Sequence, residues 1–214
     1  ETGYNVVALD LPGHGDSEGP ALTTIEAMSD WVSALLNQLG IGEAAIVGHS
    51  MGSLVALDFA ARYPSHARSL ALLGTSTPMP VSDVLLDAAK NDDRAGRVMA
   101  NTWSHSEPGL MGGHKRPGMT LYFGGLRLLQ RTPEGVYFAD LGACNAFEAG
   151  PLRAEAVACP ALVVLGNEDK MTGPKQSRAV ASSIRGAQVV ELDCGHAMLS
   201  EQSNAVLAAL KTIV

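Results

Sequence analysis

The sequence feature that most restricts the fold is a serine between two glycines, in Gly48-His49-Ser50-Met51-Gly52. Apolar residues lead into this segment at 44–47, and small and apolar residues with helical spacing follow it. This context is typical of a strand, a sharp turn and a helix, with the serine hydroxyl exposed above a sheet edge. We expect glycine at positions 48 and 52 to let the strand and the helix approach closely. Because Gly-x-Ser-x-Gly is a short pattern, its meaning depends on the rest of the chain.

Hydrophobic periodicity predicts alternating strands and helices on both sides of this turn. Strands are predicted at 5–9, 44–47, 69–73, 161–165 and 188–192, and helices at 23–39, 53–63, 174–184 and 203–213. Thr23 and Glu26 form a predicted capping box, and Gly40 stands where a C-terminal glycine belongs. The short links between these elements predict a parallel sheet with helices on both faces.

Between 75 and 150 the strand signal disappears, and three helical patterns take its place. They span about 83–99, 119–131 and 133–147, the last with Thr132 as its cap, and an irregular segment lies at 105–118. Because this block has few large apolar residues, we predict an all-helical insertion over the sheet rather than an independent domain. The predicted organisation is an N-terminal core part at 1–74, the insertion at 75–150 and a C-terminal core part at 151–214.

The composition argues against several classes of partner. The net charge is −7 and no basic run occurs, so the chain is a poor candidate for binding nucleic acid or an anionic membrane surface. No apolar run is long enough to span a bilayer. The three cysteines are odd in number and lack Cys-x-x-Cys spacing, which favours a reducing compartment, so we expect a cytoplasmic protein. The oligomeric state is left open.

Three side chains that could form a nucleophilic site follow the ends of predicted strands. A serine hydroxyl needs a histidine as base, and that histidine needs a carboxylate to orient it. In an open parallel sheet, functional groups collect beyond the carboxyl ends of the strands. Ser50, Asp169 and His196 each follow such an end, in the chain order serine, acid, histidine.

With these residues the chain resembles the α/β-hydrolase family over nearly its whole length. The matching segments are Leu9-Asp10-Leu11-Pro12-Gly13-His14-Gly15-Asp16-Ser17, Gly48-His49-Ser50-Met51-Gly52, Gly166-Asn167-Glu168-Asp169 and Gly195-His196. The resemblance implies an α/β-hydrolase fold with a helical cap insertion. It makes Ser50 the nucleophile, His196 the general base and then acid, and Asp169 the orienting acid, with the N–H of Met51 in the oxyanion hole. It implies no cofactor, and no histidine or carboxylate spacing supports a metal site.

Other acidic residues compete with Asp169 for the orienting role. Asp10 comes before Ser50, and Asp193 is too close to His196 in sequence to suit the family order. Glu168 stays open as an alternative acid.

One part of the family pattern has no counterpart in this sequence. These enzymes carry, before the segment that matches Asp10, a strand that ends in a His-Gly type motif and supplies a second oxyanion donor. The chain begins at Glu1 and runs at once into the predicted strand at 5–9. We therefore expect that upstream residues are missing from an enzyme of about 260–280 residues. We also expect unpaired edges on the strands at 5–9 and 44–47.

The resemblance implies a serine hydrolase that cleaves a small or medium carboxylic ester through an acyl-enzyme. Lactonases, carbon–carbon bond hydrolases, acyltransferases and cofactor-free haloperoxidases use the same triad, so these activities stay open. An inactive fragment or a non-catalytic binding module also stays open, because the oxyanion strand is absent. The predicted substrate-binding residues are mostly apolar and could equally pack the insertion onto the core: His49, Trp103, Met119, Tyr122, Phe123 and Met171.

Overall fold

The structure is a computed structural model that describes residues 3–91, 94–114 and 118–214. Glu1 and Thr2, the middle of the predicted helix at 83–99 and part of the predicted irregular segment at 105–118 lie outside these ranges. Within them, no helix has the length and apolar character needed to cross a bilayer.

A parallel sheet of four strands forms the centre of the described residues, in the order β1-β2-β3-β4. The strands are β1 (Ala44–His49), β2 (Ala67–Leu73), β3 (Ala161–Gly166) and β4 (Gln188–Leu192). The helices of the described ranges are α1 (Ile25–Gln38), α2 (Met51–Arg62), α3 (Asp83–Lys90), α4 (Arg94–Ser104), α5 (Glu107–Leu110), α6 (Leu121–Leu129), α7 (Val136–Ala146), α8 (Gly150–Ala156), α9 (Pro174–Ser183), α10 (Met198–Glu201) and α11 (Ser203–Leu210). These elements confirm the predicted parallel sheet with helices on both faces.

The two faces of the sheet bury separate apolar layers because side chains alternate along each strand. On β2, Leu70 and Leu72 pack with α1, α2, α8 and α9, whereas Ala71 and Leu73 pack on the opposite face with α10 and α11. All six residues of β3 are buried. Helix layers therefore enclose the central strands from both sides, which leaves the carboxyl ends of the strands to carry the site.

The predicted strand at 5–9 is wrong. Residues 4–10 form neither helix nor strand and make no ladder with the sheet, and Val6 is 80% exposed. An extended segment becomes a strand only when a neighbour supplies hydrogen bonds, and β1 is the edge strand on this side of the described sheet. Val47 of β1 is 46% exposed. The expectation of a further strand in upstream residues stays a prediction.

Helix α1 begins one residue later than its predicted capping box. Thr24, not Thr23, is the N-cap, and its hydroxyl accepts a hydrogen bond from the N–H of Ala27 at 3.1 Å. We attribute the starting point of the helix to Ile25, which is fully buried at the first helical position. The predicted role of Gly40 is confirmed, because it follows the C-cap with φ +68°.

Helices α3 to α8 connect β2 to β3, and two predicted boundaries within this stretch are wrong. The helix predicted at 83–99 ends at Lys90, because the side-chain amide of Asn91 donates to Asp87 O at 2.9 Å and closes the last turn. The helix predicted from Pro133 begins only at Val136, because Gly135 adopts φ +79°, which a helix interior excludes. The short helices α5, α8 and α10 were not predicted. The division into core parts and insertion stays a prediction.

A fully buried carboxylate joins helix α2 to helix α8. Asp58 lies in α2, and its two oxygens accept hydrogen bonds from Arg62 Nη1 at 3.0 Å and Arg153 Nε at 2.8 Å. Both arginines are only partly buried. A buried charge with no partner is costly, so this pairing fixes where α8 packs.

Asp58→Asn is expected to destabilise the fold by about 2 kcal/mol. The amide removes the anion of Arg153 and leaves Arg62 with Asp30 as its anion, although partial exposure lets water solvate both guanidinium groups. Asp30→Asn is the matched control, because Asp30 also binds Arg62 but is half exposed, where ion pairs contribute less than about 1 kcal/mol. Urea unfolding followed by circular dichroism measures both variants, and equal losses would contradict the structural role assigned to Asp58.

Candidate active site

The turn that follows β1 holds Ser50 in a strained backbone conformation. Ser50 has φ 54° and ψ −123°, and it is the only non-glycine among the described residues with positive φ. A Cβ on Gly48 would lie 2.0 Å from Gly52 O, so the predicted need for glycine at position 48 is confirmed. The same prediction for Gly52 is wrong, because a Cβ there would meet nothing within 4 Å. The backbone oxygen of Gly52 packs against Gly48, whereas the space for a side chain on residue 52 is open.

The backbone of Ser50 is fully engaged, whereas its hydroxyl is not. The N–H of Ser50 donates to Leu73 O at 3.0 Å, and Ser53 Oγ donates to Ser50 O at 2.6 Å. Within the described ranges, Ser50 Oγ makes no hydrogen bond to protein atoms. The N–H of Met51 opens α2, where the first N–H groups of a helix lack intrahelical acceptors. A free hydroxyl and a free N–H therefore stand side by side at the end of β1.

Asp169 and His196 form a buried pair on the turns that follow β3 and β4. His196 Nδ1 lies 2.8 Å from Asp169 Oδ2, and both residues are 5% exposed. The other carboxylate oxygen, Oδ1, accepts from the N–H groups of Met171 and Thr172, each at 2.8 Å. The Thr172 hydroxyl donates to Oδ2 at 2.8 Å. Four donors thus converge on one carboxylate.

These donors keep the Asp169 carboxylate ionised. Burial alone would raise the pKa of Asp169, but the hydrogen bond and charge interaction with His196, together with the Thr172 donors, hold that pKa below its ordinary value. An ionised carboxylate can only accept hydrogen bonds, so Nδ1 of His196 must carry a proton. In the neutral ring, Nε2 is then the basic nitrogen.

His49, which precedes Ser50, and Gly74, which follows β2, both lie against His196. His49 Nε2 donates to the backbone oxygen of His196 at 2.8 Å, and the two ring centroids are 4.7 Å apart. Burial and the nearby His196 lower the pKa of His49 to about 4, so His49 is neutral at physiological pH. Leu73 O binds the N–H of Ser50, and a Cβ on the next residue, Gly74, would lie 3.1 Å from the His196 ring.

The helical stretch between β2 and β3 contacts the loop that carries His196. The N–H of Ala197 donates to Ser104 O at 2.7 Å, and a Cβ on Gly195 would lie 2.6 Å from the N of Ser106. The Glu201 carboxylate accepts from Ser106 N at 3.0 Å, from the Ser106 hydroxyl and from Gly195 N at 3.2 Å. We name these contacts of Glu201 with Ser106 and Gly195 the Glu201 clip. No local sequence pattern predicts the Glu201 clip, because the two segments lie far apart in sequence.

The other acidic residues near the site are engaged elsewhere. Glu168 accepts from the N–H of Glu107 at 3.3 Å, and Asp193 accepts from the Asn167 amide at 2.9 Å. Asp10 accepts from the N–H of Asp16 at 3.1 Å. Of the candidate acids, the structure therefore joins only Asp169 to His196.

The predicted substrate-binding residues are dispersed around the site. Met171 adjoins Asp169, and Trp103 is half-buried in α4. Tyr122 packs its ring on buried His105 and on Phe123, while Phe123 is 67% exposed and Met119 lies on the surface. Their substrate-binding roles, like that of His49, stay predictions.

An open cavity of about 500 Å³ lies away from these residues. It is formed by the loop 13–21 and residues 133–136, and none of the predicted site residues lines it. In the described part of the chain, no group of three or more His, Cys, Asp or Glu side chains is arranged to hold a metal ion.

Comparisons with known proteins agree with this fold. Residues 1–202 match the family model described as alpha/beta hydrolase fold. The chain is 28% identical to a pimeloyl-[acyl-carrier protein] methyl ester esterase of Neisseria meningitidis, over 99% of this chain and 83% of that protein. A 72-residue segment is 47% identical to the dihydrolipoyllysine-residue acetyltransferase component of the acetoin cleaving system of Cupriavidus necator, covering 33% of this chain but 19% of that protein.

Among solved structures, the enol-lactonase of Burkholderia xenovorans superposes with a TM-score of 0.83 at 26% identity. The superposition covers 95% of this chain and 78% of the lactonase. The parallel sheet and the strand–turn–helix segment at Ser50 are both consistent with the match to this family model. This chain belongs to the alpha/beta hydrolase fold family of hydrolytic enzymes.

Proposed function

We propose that this protein hydrolyses small or medium carboxylic esters through an acyl-enzyme, with Ser50, His196 and Asp169 as its catalytic triad. The observation that carries the proposal is the backbone of Ser50. A non-glycine residue with positive φ costs of order 1–3 kcal/mol and persists mainly where function requires it. This backbone conformation places the Ser50 hydroxyl, which has no hydrogen bond to the described residues, at the carboxyl end of the sheet. The buried Asp169–His196 pair lies at the same end.

In the first half of the proposed reaction, Ser50 Oγ attacks the ester carbonyl while His196 Nε2 accepts the hydroxyl proton. The negative charge moves to the carbonyl oxygen, where the N–H of Met51 donates a hydrogen bond to it. His196 then returns the proton to the alcohol oxygen as the carbon–oxygen bond breaks. Asp169 stabilises the imidazolium formed between these two proton transfers.

In the second half, water replaces the alcohol. His196 Nε2 takes a proton from the water as its oxygen attacks the acyl carbon, and the collapse of the intermediate returns that proton to Ser50 Oγ. The products are a carboxylic acid and the free enzyme, so the cycle balances without a cofactor.

The relatives favour an ester as the substrate of this triad. One acts, by its name, on a methyl ester, and another is an enol-lactonase. A lactone is a cyclic ester, so both fall within one reaction class, attack of a serine on an oxygen ester. Both names therefore support cleavage of an oxygen ester by this triad.

A fluorophosphonate probe is expected to label Ser50 and to abolish hydrolysis of p-nitrophenyl butyrate in proportion to labelling. The probe phosphonylates a serine, with loss of fluoride, only when an adjacent base activates that serine. Mass spectrometry of the digested protein identifies the labelled residue, and a heat-denatured sample controls for non-specific reaction. Full labelling with undiminished hydrolysis would contradict the proposal. Absence of labelling would favour a non-catalytic binding module instead.

A further inference from the structure

Thr172 contacts both members of the buried acid–histidine pair. Its Oγ1 lies 2.8 Å from Asp169 Oδ2 and 3.2 Å from His196 Nδ1. The side chain is 2% exposed, so no bulk water competes for these bonds. The Ser177 hydroxyl donates to Thr75 O at 2.7 Å and lies 3.4 Å from Thr172 O, which connects the turn to α9 and to the segment that follows β2.

The direction of each bond around Thr172 follows from what its partners can do. A hydroxyl has one proton, and the ionised carboxylate can only accept, so Thr172 donates its proton to Asp169 Oδ2. The Thr172 oxygen can then only accept a hydrogen bond from His196 Nδ1. Nδ1 faces two acceptors, Asp169 Oδ2 and Thr172 Oγ1, and its proton is shared between them. Both contacts favour the ring form in which Nε2 is free to act as base.

We propose that Thr172 is a positioning residue whose hydroxyl fixes the Asp169 carboxylate and the His196 ring for proton transfer with Ser50. This inference rests on the proposed function for its catalytic consequence, but the geometry that it assigns to Nδ1 does not. Asp169 Oδ1 is already held by two backbone donors, so Oδ2 is the oxygen whose direction depends on a side chain. Without the hydroxyl, His196 is the only donor to Oδ2 among the residues that the structure describes.

Thr172→Val tests this role, because valine keeps the branched shape of threonine and removes only the hydroxyl. We expect kcat for p-nitrophenyl butyrate to fall about tenfold while KM stays unchanged, since one hydrogen bond to a charged group is lost and no substrate contact changes. Thr172→Ser is the matched variant, because it restores the hydroxyl, and we expect it to keep kcat within about twofold of wild type. Circular dichroism checks that both variants remain folded.

Proton NMR of the resting protein gives a readout that does not depend on turnover. We expect the low-field resonance of the His196 Nδ1 proton to move in Thr172→Val and to keep its wild-type position in Thr172→Ser. If the wild-type chain fails to hydrolyse the ester but the resonance behaves in this way, the positioning role stands and the proposed function fails. If the chain hydrolyses the ester but Thr172→Val leaves kcat or the resonance unchanged, the positioning role is overturned and the proposed function stands.

Discussion

Ser50→Ala is expected to reduce ester hydrolysis by a factor on the order of 10⁵ or more, with the fold intact. Loss of the nucleophile removes the acyl-enzyme route altogether, so only stabilisation of the oxyanion and substrate binding can still accelerate the reaction. The hydroxyl of Ser50 makes no hydrogen bond to the described residues, and alanine has the same Cβ as serine at φ 54°. The melting temperature should therefore match that of the wild type.

The assay for this variant is hydrolysis of p-nitrophenyl butyrate at pH 8 with protein purified free of host esterases. Ser182→Ala is the matched control, since Ser182 is an exposed serine of α9 whose hydroxyl donates to Arg178 O. We expect this control to keep wild-type kcat. Residual activity in Ser50→Ala above about 1% of wild type would mean that another group attacks the ester.

Gly48→Ala is expected to destabilise the protein by more than about 4 kcal/mol, the largest effect on stability that we predict. The new Cβ would stand 2.0 Å from Gly52 O and 2.8 Å from Ser53 N, so it meets the backbone of α2 rather than a flexible side chain. To remove this clash, α2 would have to move away from β1. Helix α2 carries eight consecutive buried residues from Ser53 to Ala60. That movement would disrupt both the core and the turn at Ser50.

Gly52→Ala is a demanding control for this prediction, because it adds the same methyl group four residues away. Nothing lies within 4 Å of its position, and alanine favours the helical conformation, so stability should be unchanged or slightly higher. Thermal unfolding should show Gly48→Ala melting at least about 10 °C lower than the control. Similar melting temperatures for the two variants would mean that the turn is not fixed by close packing of β1 on α2.

The positions of the three proposed triad residues could be predicted from the sequence because each of them follows the end of a strand. Ser50, Asp169 and His196 each follow a strand that its apolar residues mark out, and parallel strands bring their carboxyl ends to one edge. The contact between Asp169 and His196 follows from that topology. The N-cap of α1, by contrast, depends on the burial of Ile25. The local pattern of Thr23 and Glu26 does not reveal that burial.

The features that the sequence did not reveal depend on neighbours far along the chain. The segment at 5–9 has strand-forming residues, but a strand also needs a partner, and the described sheet ends at β1. Glu201 and Ser106 are 95 residues apart, and their contact depends on how the helices between β2 and β3 fold back. Thr172 could have been noticed, since it stands three residues after Asp169, the spacing at which a hydroxyl can reach back to a carboxylate.

The Glu201 clip has a consequence for any attempt to redesign specificity by grafting. A chimera that exchanges the segment between β2 and β3 for that of another enzyme would also exchange residues that contact the loop of His196, the proposed catalytic base. Ser104 and Ser106 contact the loop of His196 through backbone atoms, and Glu201 secures that contact from the C-terminal side. A graft must therefore reproduce the backbone path of 104–106 opposite Gly195, or the chimera loses catalytic rate before its choice of substrate can change.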